Sequence, residues 1–437
     1  MTKENNIFTY ATSELSQDAF LFYLLNFANK DSNEGKLARD FLKTFGCDKI
    51  NEINFKDFKI YSYKQYKHID LLMLFLDEKD VENKSFLLLV EDKINANESK
   101  ENQLNSYIEK INEIAQEDIN GQKIDSKSYE KLKNKEILKK IIVPVYLKTG
   151  NMSTEEMEYI KKKSNLIDLE KISSLLKNDV SNIIINQWKE RIIQLKELNK
   201  KIVVYIEENK TIEEICDLCS NYGCDSLEAM NQMGKAIFDG KHKIGSHSKF
   251  YNNDETYNYT TWKQNAMGHP EANLSIKADF LYKKLDDEEY SKKNPDKQLF
   301  ISTQLRIRNF DLCIVFEILI FNKNANKNKI ANKHYEYNTW ATGSFLNKNQ
   351  SIKKQFNKEK EDFYEKISKK IDDTMKKNSK FSDAAIGKLS GRNIILTKFD
   401  WEEWIKNLKF SDFKEFILDL QKILEETAID CGFEKLW

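Results

Sequence analysis

Hydrophobic residues in the first 150 positions follow the order of a helix, three strands, a second helix and a further strand. Glu14–Ala28 follows the N-cap candidate Ser13 and is apolar on most sides, which predicts a largely buried helix. Ile53–Tyr63 alternates between apolar and polar residues, as a half-buried strand does. The runs 69–76 and 86–92 are almost continuously apolar, which is typical of strands covered on both faces.

A helix and one more strand complete this pattern. Glu98–Ala115 has an apolar stripe at helical spacing, and Ile141–Leu147 predicts a strand. Pro144 is an objection to that strand, because proline suits edges and bulges better than strand interiors. The whole order predicts an α/β sandwich with a mixed sheet, which we place at residues 1–175.

The remaining sequence predicts a helical connector and a second domain. Residues 176–239 have the period of helices. Beyond position 240, strands are predicted near 278–282, 299–308, 312–321 and 393–398, and helices at 351–380 and 411–427. We therefore expect an α+β domain over 240–437 that binds a substrate or senses a signal.

Composition excludes some classes of protein and leaves others open. The 70 basic and 70 acidic residues balance, so net charge neither favours nor excludes a nucleic-acid partner. The longest apolar run, Leu312–Phe321, is too short to span a membrane and contains Glu317. The first residues have no signal-peptide core, and six scattered cysteines fit a reducing compartment. We therefore expect a cytoplasmic protein with no membrane partner.

The most informative polar residues lie where the two buried strands begin or end. Asp70 stands near the start of the first strand, and Glu91 and Lys93 end the second, one residue apart and so on the same face. Two carboxylates from neighbouring strands supply the hard oxygen ligands that Mg²⁺ or Mn²⁺ prefers. A metal there could cleave a phosphodiester, with Lys93 orienting or deprotonating the attacking water, or neutralising the pentavalent phosphate. The alternative is a solvated strand end with an Asp-Lys turn.

Two helical segments could complete such a site. Gln103 and Tyr107 are four residues apart and share a helix face. That face lies either over the site or at the surface, with an ordinary glutamine beside a packed tyrosine. Glu14 is either an additional carboxylate near the metal or an acid that suits the first turn of a helix.

Residues 12–150 resemble the PD-(D/E)XK nuclease superfamily, and one of its bacterial branches in particular. The matching segments are SELSQDAF at 13–20, HID at 68–70, EDK at 91–93, QLxxY at 103–107 and VPVYL at 143–147. The resemblance implies an αβββαβ restriction-endonuclease-like sandwich. It implies Asp70, Glu91 and Glu14 as metal-binding acids, Lys93 as the catalytic lysine, and Gln103 and Tyr107 as a QxxxY motif. One departure is Ile69, where the family pattern has proline.

The resemblance also implies a function and partners. It implies Mg²⁺- or Mn²⁺-dependent hydrolysis of DNA in bacterial defence against foreign DNA, with a defence-system protein as a partner and a homodimer for cutting two strands. Two alternatives stay open. The same fold could cleave RNA, or the chain could be an inactive nuclease-fold subunit that only binds. The resemblance does not extend to residues 240–437.

The second domain has weaker candidates. Phosphate contacts could come from the basic residues Lys323, Lys327, Lys329, Lys333, Arg306 and Arg308. The lysines could equally form a solvated loop, and the arginines a pair on a sheet surface. Cys216-x-x-Cys219 could bind zinc together with Cys224, His242 and His247. However, Cys216 and Cys219 share a helical stripe with isoleucines, which favours apolar packing.

Overall fold

A computed structural model describes most of the 437-residue chain. The described residues are 6–10, 14–47, 55–64, 66–93, 103–119, 121–150, 154–162, 164–177, 180–224, 226–237, 258–264, 270–308, 311–322, 345–375, 389–390, 393–395 and 406–435. The chain divides into two compact units, Met1–Lys200 and Lys201–Trp437. The division falls inside the predicted connector, residues 176–239.

A five-stranded mixed sheet forms the centre of the first unit. Its strands lie side by side in chain order: β1 (Lys59–Lys64), β2 (Leu71–Leu76), β3 (Phe86–Lys93), β4 (Ile142–Lys148) and β5 (Asn165–Asp168). β1, β2 and β3 pair antiparallel, whereas β3, β4 and β5 pair parallel. A parallel neighbour requires a crossover connection, which the helices between β3 and β4 provide.

Helices cover both faces of this sheet. They are α1 (Ile7–Tyr10), α2 (Glu14–Leu25), α3 (Asn33–Thr44), α4 (Gln103–Lys110), α5 (Ser126–Leu132), α6 (Lys135–Ile141), α7 (Thr154–Lys161), α8 (Leu169–Leu175) and α9 (Ile183–Glu207). Alternate strand residues such as Met73 and Leu88 pack in a core with α2, α3 and α9. Their neighbours Leu72 and Leu89 pack with α4, α5 and α6. The two-sided cover explains why β2 and β3 are apolar throughout.

The observed elements are shorter than several of the predicted ones. β1 begins at Lys59, because Phe55–Asp57 forms a 3₁₀ turn instead of strand. The helix predicted over 98–115 is observed as α4, with 94–102 outside the described residues. Pro144 does lie in β4, but the pairing of β4 with β5 begins one residue later, at Val145. Pro144, which lacks an N–H, therefore lies outside the part of β4 that pairs with β5.

The second unit is built on an antiparallel sheet. Its elements are α10 (Ile212–Asn221), α11 (Ser226–Ile237), β6 (Asn258–Gln264), β7 (Pro270–Leu285), α12 (Glu288–Lys293), β8 (Lys297–Arg308), β9 (Asp311–Asn322), α13 (Gln350–Met375), β10 (Leu389–Ser390), β11 (Asn393–Ile395), α14 (Phe410–Asp430) and β12 (Glu434–Lys435). The strand order is β10-β11-β9-β8-β7-β12, with β6 also paired to β7. Phe316 of β9 meets Phe363 of α13 edge-on at 5.0 Å, so α13 packs on this sheet.

Strand and helix both contribute to each unit, so the chain is of the mixed α/β class. Among the helices in the described ranges, none is both long enough and apolar enough to cross a bilayer.

Candidate functional site

Asp70, Glu91 and Lys93 meet where β2 begins and β3 ends. The two strands are antiparallel neighbours with Leu71 opposite Val90, so the residue before β2 lies beside the last residues of β3. The Lys93 Nζ atom is 2.8 Å from Glu91 Oε1 and 3.4 Å from Asp70 Oδ2. The structure therefore brings together the two acids and the lysine that the sequence grouped, with Glu91 and Lys93 on one face.

The Lys93 ammonium also contacts a third oxygen. Lys93 Nζ donates a hydrogen bond to the backbone carbonyl of Asp92 at 2.9 Å. The backbone N–H of Asp92 donates to Asp70 Oδ2 at 3.0 Å, which fixes the Asp70 carboxylate beside the strand end. Oxygen atoms of Asp70, Glu91 and Asp92 therefore all lie within 3.4 Å of the Lys93 ammonium.

Burial differs sharply across the site. Glu91 is fully buried and Lys93 is 8% exposed, whereas the Asp70 side chain is 27% exposed. A buried carboxylate is costly unless a positive charge compensates it, and Lys93 supplies that charge for Glu91. Solvent therefore reaches the site from the side of Asp70.

The oxygen donors of the site fit a hard divalent cation. Carboxylate and carbonyl oxygens are the ligands of Mg²⁺, which keeps several waters and needs only one or two carboxylates from the protein. Glu91 Oε1 and Asp70 Oδ2 contact the same nitrogen and so lie within about 6 Å of each other. No cluster of three or more His, Cys, Asp or Glu side chains suited to a metal occurs within the described part of the chain.

The remaining predicted residues of the first unit are placed only in part. Glu14 is the first residue of α2 and Gln103 the first residue of α4, and both side chains lie outside the described residues. Tyr107 is buried in the apolar cluster with Leu104 and Ile111, on the sheet face that Leu89 also lines. Strand alternation puts Glu91 and Lys93 on that same face.

Most of the basic residues predicted to contact phosphates in the second unit lie outside the described residues. Lys323, Lys327, Lys329 and Lys333 lie outside the described residues. Arg306 and Arg308 lie on β8, opposite Cys313 and Asp311 of β9, with side chains that are not described. Their predicted contacts with phosphates stay predictions.

Cys216 and Cys219, which were predicted either to bind zinc or to pack as apolar residues, lie on α10. Cys219 is fully buried, and burial raises its pKa. Burial also raises the pKa of Cys216 to about 12. Metal binding needs the thiolate, which burial disfavours at both positions. This environment matches the interpretation of the two thiols as small apolar residues.

A buried polar network that the sequence pattern did not reveal lies on the other face of the strand end. Asp92 Oδ1 accepts a hydrogen bond from Gln17 Nε2 of α2 at 2.6 Å. Thr149 Oγ1 donates to Gln17 Oε1 at 3.1 Å, and the Thr149 N–H donates to the Lys93 carbonyl at 3.2 Å. The available signal was a glutamine inside a largely apolar helix, because buried polar groups require partners.

Lys148 is a second residue that the sequence pattern left without a role. It ends β4, is fully buried, and pairs in register with Lys93. Residues in register on parallel neighbours point to the same face at a spacing of about 4.8 Å, so two lysine stems run side by side there. A lysine that ends a buried strand was the signal, because lysine is almost never fully buried unless it is paired.

The chain matches no family model, no curated protein and no solved structure in comparisons with all three.

Proposed function

We propose that the chain is a metal-dependent nuclease that hydrolyses phosphodiester bonds of DNA, and that its first unit has the restriction-endonuclease-like fold. One observation supports the proposal above all others. Oxygens of Asp70, Glu91 and Asp92 surround the Lys93 ammonium at the adjoining ends of β2 and β3. With the additional helices α3, α5 and α6 left aside, the elements follow the order α2-β1-β2-β3-α4-β4, which is the αβββαβ order that the resemblance implies.

Each residue has a distinct role in the proposed reaction. Asp70 and Glu91 would hold Mg²⁺ or Mn²⁺, and the bound cation would acidify a water and neutralise charge on the phosphate. Lys93 stabilises the negative charge that develops on the phosphate, because its ammonium already lies among the oxygens of the site. The N–H of Asp92 keeps the Asp70 carboxylate oriented.

The wider biological role is part of the same proposal. The resemblance points to bacterial defence against foreign DNA, with a homodimer cutting two strands and a defence-system protein as a partner. Glu14, Gln103 and Tyr107 would assist the site. The second unit would bind DNA, through Arg306 and Arg308 or the lysines of 323–333, or respond to a signal.

A cleavage assay with matched variants tests the proposal. Plasmid and linear DNA are incubated with the purified protein and Mg²⁺ or Mn²⁺. Because each substitution removes a group that acts on the phosphate or its cation, we expect Glu91→Gln and Lys93→Met to lower the rate by about 100-fold or more. Glu136→Gln and Lys139→Ala alter an exposed pair, with side chains 86% and 63% exposed, and should leave the rate unchanged.

Cleavage that survives in both site variants, or a wild type that cuts nothing, would overturn the proposal. A labelled RNA of the same sequence runs beside the DNA, because metal-assisted hydrolysis acts on the phosphate and not on the sugar. Faster cutting of RNA would reassign the substrate, and calorimetry showing no Mn²⁺ binding would favour an inactive binding subunit.

A further inference from the structure

Asp92 connects the two faces of β3 at the site. Its N–H donates to Asp70 Oδ2 at 3.0 Å, and its carbonyl accepts from Lys93 Nζ at 2.9 Å. Its fully buried carboxylate extends to the opposite face and accepts from Gln17 Nε2 at 2.6 Å. The backbone groups on either side of the Asp92 Cα atom therefore orient two residues of the site, and the Asp92 side chain is held from the other face.

We propose that Gln17 and Asp92 are a positioning pair for the site. Gln17 holds the Asp92 carboxylate, and through it the backbone N–H and C=O of Asp92 that contact Asp70 and Lys93. The inference deepens the proposed function and rests on it for the identity of the bound group, a divalent cation. Neither side chain would touch substrate or cation; both act through Asp70 and Lys93.

The orientation of the Gln17 amide follows from its two partners. The amide nitrogen of Gln17 donates to the Asp92 carboxylate. The amide oxygen then faces the Thr149 hydroxyl, which donates to it at 3.1 Å. Because the N–H of Thr149 donates to the Lys93 carbonyl, the amide ties the end of β3 to the residue after β4.

Burial makes this link stiff. Gln17, Asp92 and Thr149 are all buried, so water does not compete effectively for their hydrogen bonds. The link also transmits the position of α2 to the site, because Gln17 lies in the second turn of that helix. A shift of about 1 Å in a positioned group can cost a catalysed reaction about 100-fold in rate.

An exchange of the two functional groups tests the pair. Gln17→Glu places two carboxylates at hydrogen-bond distance and removes the donor. Asp92→Asn alone keeps an acceptor for the Gln17 amide. The double variant Gln17→Glu/Asp92→Asn restores the hydrogen bond with its direction reversed, since the asparagine nitrogen now donates to the new carboxylate. The new carboxylate also still accepts from Thr149.

The first measurement is Mn²⁺ binding by calorimetry, without nucleic acid. We expect Gln17→Glu to weaken Mn²⁺ binding about 10-fold or more, because a misplaced ligand set loses part of its affinity. The double variant should return to within about 3-fold of wild type. For DNA cleavage we expect Gln17→Glu to lower kcat with little change in KM, and the double variant to recover it.

A matched control separates the site from general damage to α2. Asn182→Asp removes a side-chain donor to Tyr23 OH of the same helix, a contact of 2.6 Å, and keeps the Oδ1 that caps α9. It should bind Mn²⁺ as wild type does. If Gln17→Glu fails to fold, as judged by circular dichroism, Gln17→Met replaces it in both measurements.

The outcomes are distinct from those of the nuclease test. A folded Gln17 variant with wild-type Mn²⁺ affinity and kcat overturns the positioning role, as does a double variant no better than Gln17→Glu. A wild type that binds Mn²⁺ without cutting DNA or RNA removes the nuclease proposal, and the Mn²⁺ affinities of the variants still decide the role of Gln17. A wild type that binds no Mn²⁺ overturns both.

Discussion

Lys93 is the residue on which the charge balance of the site depends. It is the positive partner of a fully buried Glu91 and of a partly exposed Asp70. Removing one partner of a buried pair commonly costs more than the pair itself contributes, because the remaining charge is left uncompensated. The same reasoning implies that a divalent cation can replace the lost ammonium.

A double-mutant cycle tests this balance at the scale of residues. Without metal, we expect Lys93→Met to lower the free energy of unfolding by about 3 kcal/mol. Glu91→Gln/Lys93→Met should be destabilised by less than the sum of the single variants, because it removes both charges of the Glu91–Lys93 pair. Urea denaturation at pH 7 with a chelator measures all four proteins. Strictly additive effects would contradict the coupling.

Addition of Mn²⁺ extends the same cycle. A ligand that binds only the folded state stabilises it, and the Lys93→Met site has lost its competing positive charge. We therefore expect Mn²⁺ to raise the urea midpoint of Lys93→Met more than that of wild type. Glu91→Gln/Lys93→Met, which lacks the carboxylate, is the control and should respond least.

The sequence predicts the grouping of Asp70, Glu91 and Lys93 but not the residues that hold them. Strand alternation puts Glu91 and Lys93 on one face, and adjacent strands place Asp70 beside them. Gln17 contacts Asp92 because of the way α2 packs on β3. Hydrophobic periodicity does not specify that packing. Asp92 therefore had no assigned role until its contacts with Gln17 were seen.

At the scale of elements, the sequence predicts which helices and strands are present better than it predicts the residues at which they begin and end. β2 and β3 are recovered almost residue for residue because both are apolar along their whole length. The aromatic residue Phe55 satisfies a strand pattern equally well, yet it lies in a 3₁₀ turn. The end of α3 is a further case, because a single glycine sets it.

Gly46 ends α3 in a Schellman motif. Its N–H donates to the Lys43 carbonyl at 3.0 Å, and the Cys47 N–H donates to the Leu42 carbonyl at 3.2 Å. Its φ is +83°, a left-handed conformation that favours glycine. A Cβ atom at Gly46 would also lie 2.1 Å from Asn165 Nδ2. That nitrogen donates to the Phe45 carbonyl, so β5 is anchored to the same turn.

Gly46→Ala and Gly121→Ala form a matched pair for this turn. Gly121 has a similar φ of +78°, but a Cβ there would meet no heavy atom within 4 Å. Gly121→Ala should lower the free energy of unfolding by about 1–2 kcal/mol, the cost of a left-handed backbone conformation for a residue with a Cβ atom. Gly46→Ala should lower it by more, because its Cβ atom must also displace Asn165. Thermal unfolding measures both. Equal losses would mean that the contact of Asn165 with the turn contributes nothing.

At the scale of the whole molecule, each unit has its own core and its own kind of sheet. The mixed sheet of the first unit could be anticipated because its strands lie side by side in chain order. The order β10-β11-β9-β8-β7-β12 could not, because it joins segments far apart in the chain. Glu434 of β12, for example, pairs with Tyr282 of β7. Local periodicity does not specify such non-local pairing.

The two cores also share a sensitivity to alkaline pH. Desolvation raises the pKa of Tyr63 and Tyr61 in the first unit above the ordinary 10.0. It raises the pKa of Cys219 and Cys216 in the second unit above the ordinary 9.0. Between the ordinary and the raised pKa, the folded state keeps a proton that the unfolded state releases. Stability is therefore fully present below about pH 9 and is lost as the pH rises.

The order of the ordinary pKa values predicts which unit responds first. Thiols of the second unit begin to ionise in the unfolded chain near pH 9, and tyrosines of the first unit near pH 10. We expect the urea midpoint of unfolding to fall from pH 8 to pH 11. Tryptophan fluorescence measures the midpoint, and Trp188→Phe, which removes a tryptophan from the core of the first unit, is the reference. Cys219→Ala should flatten the fall between pH 9 and 10, and Tyr63→Phe the fall above pH 10. A midpoint unchanged over this range would contradict the raised pKa values of these thiols and phenols.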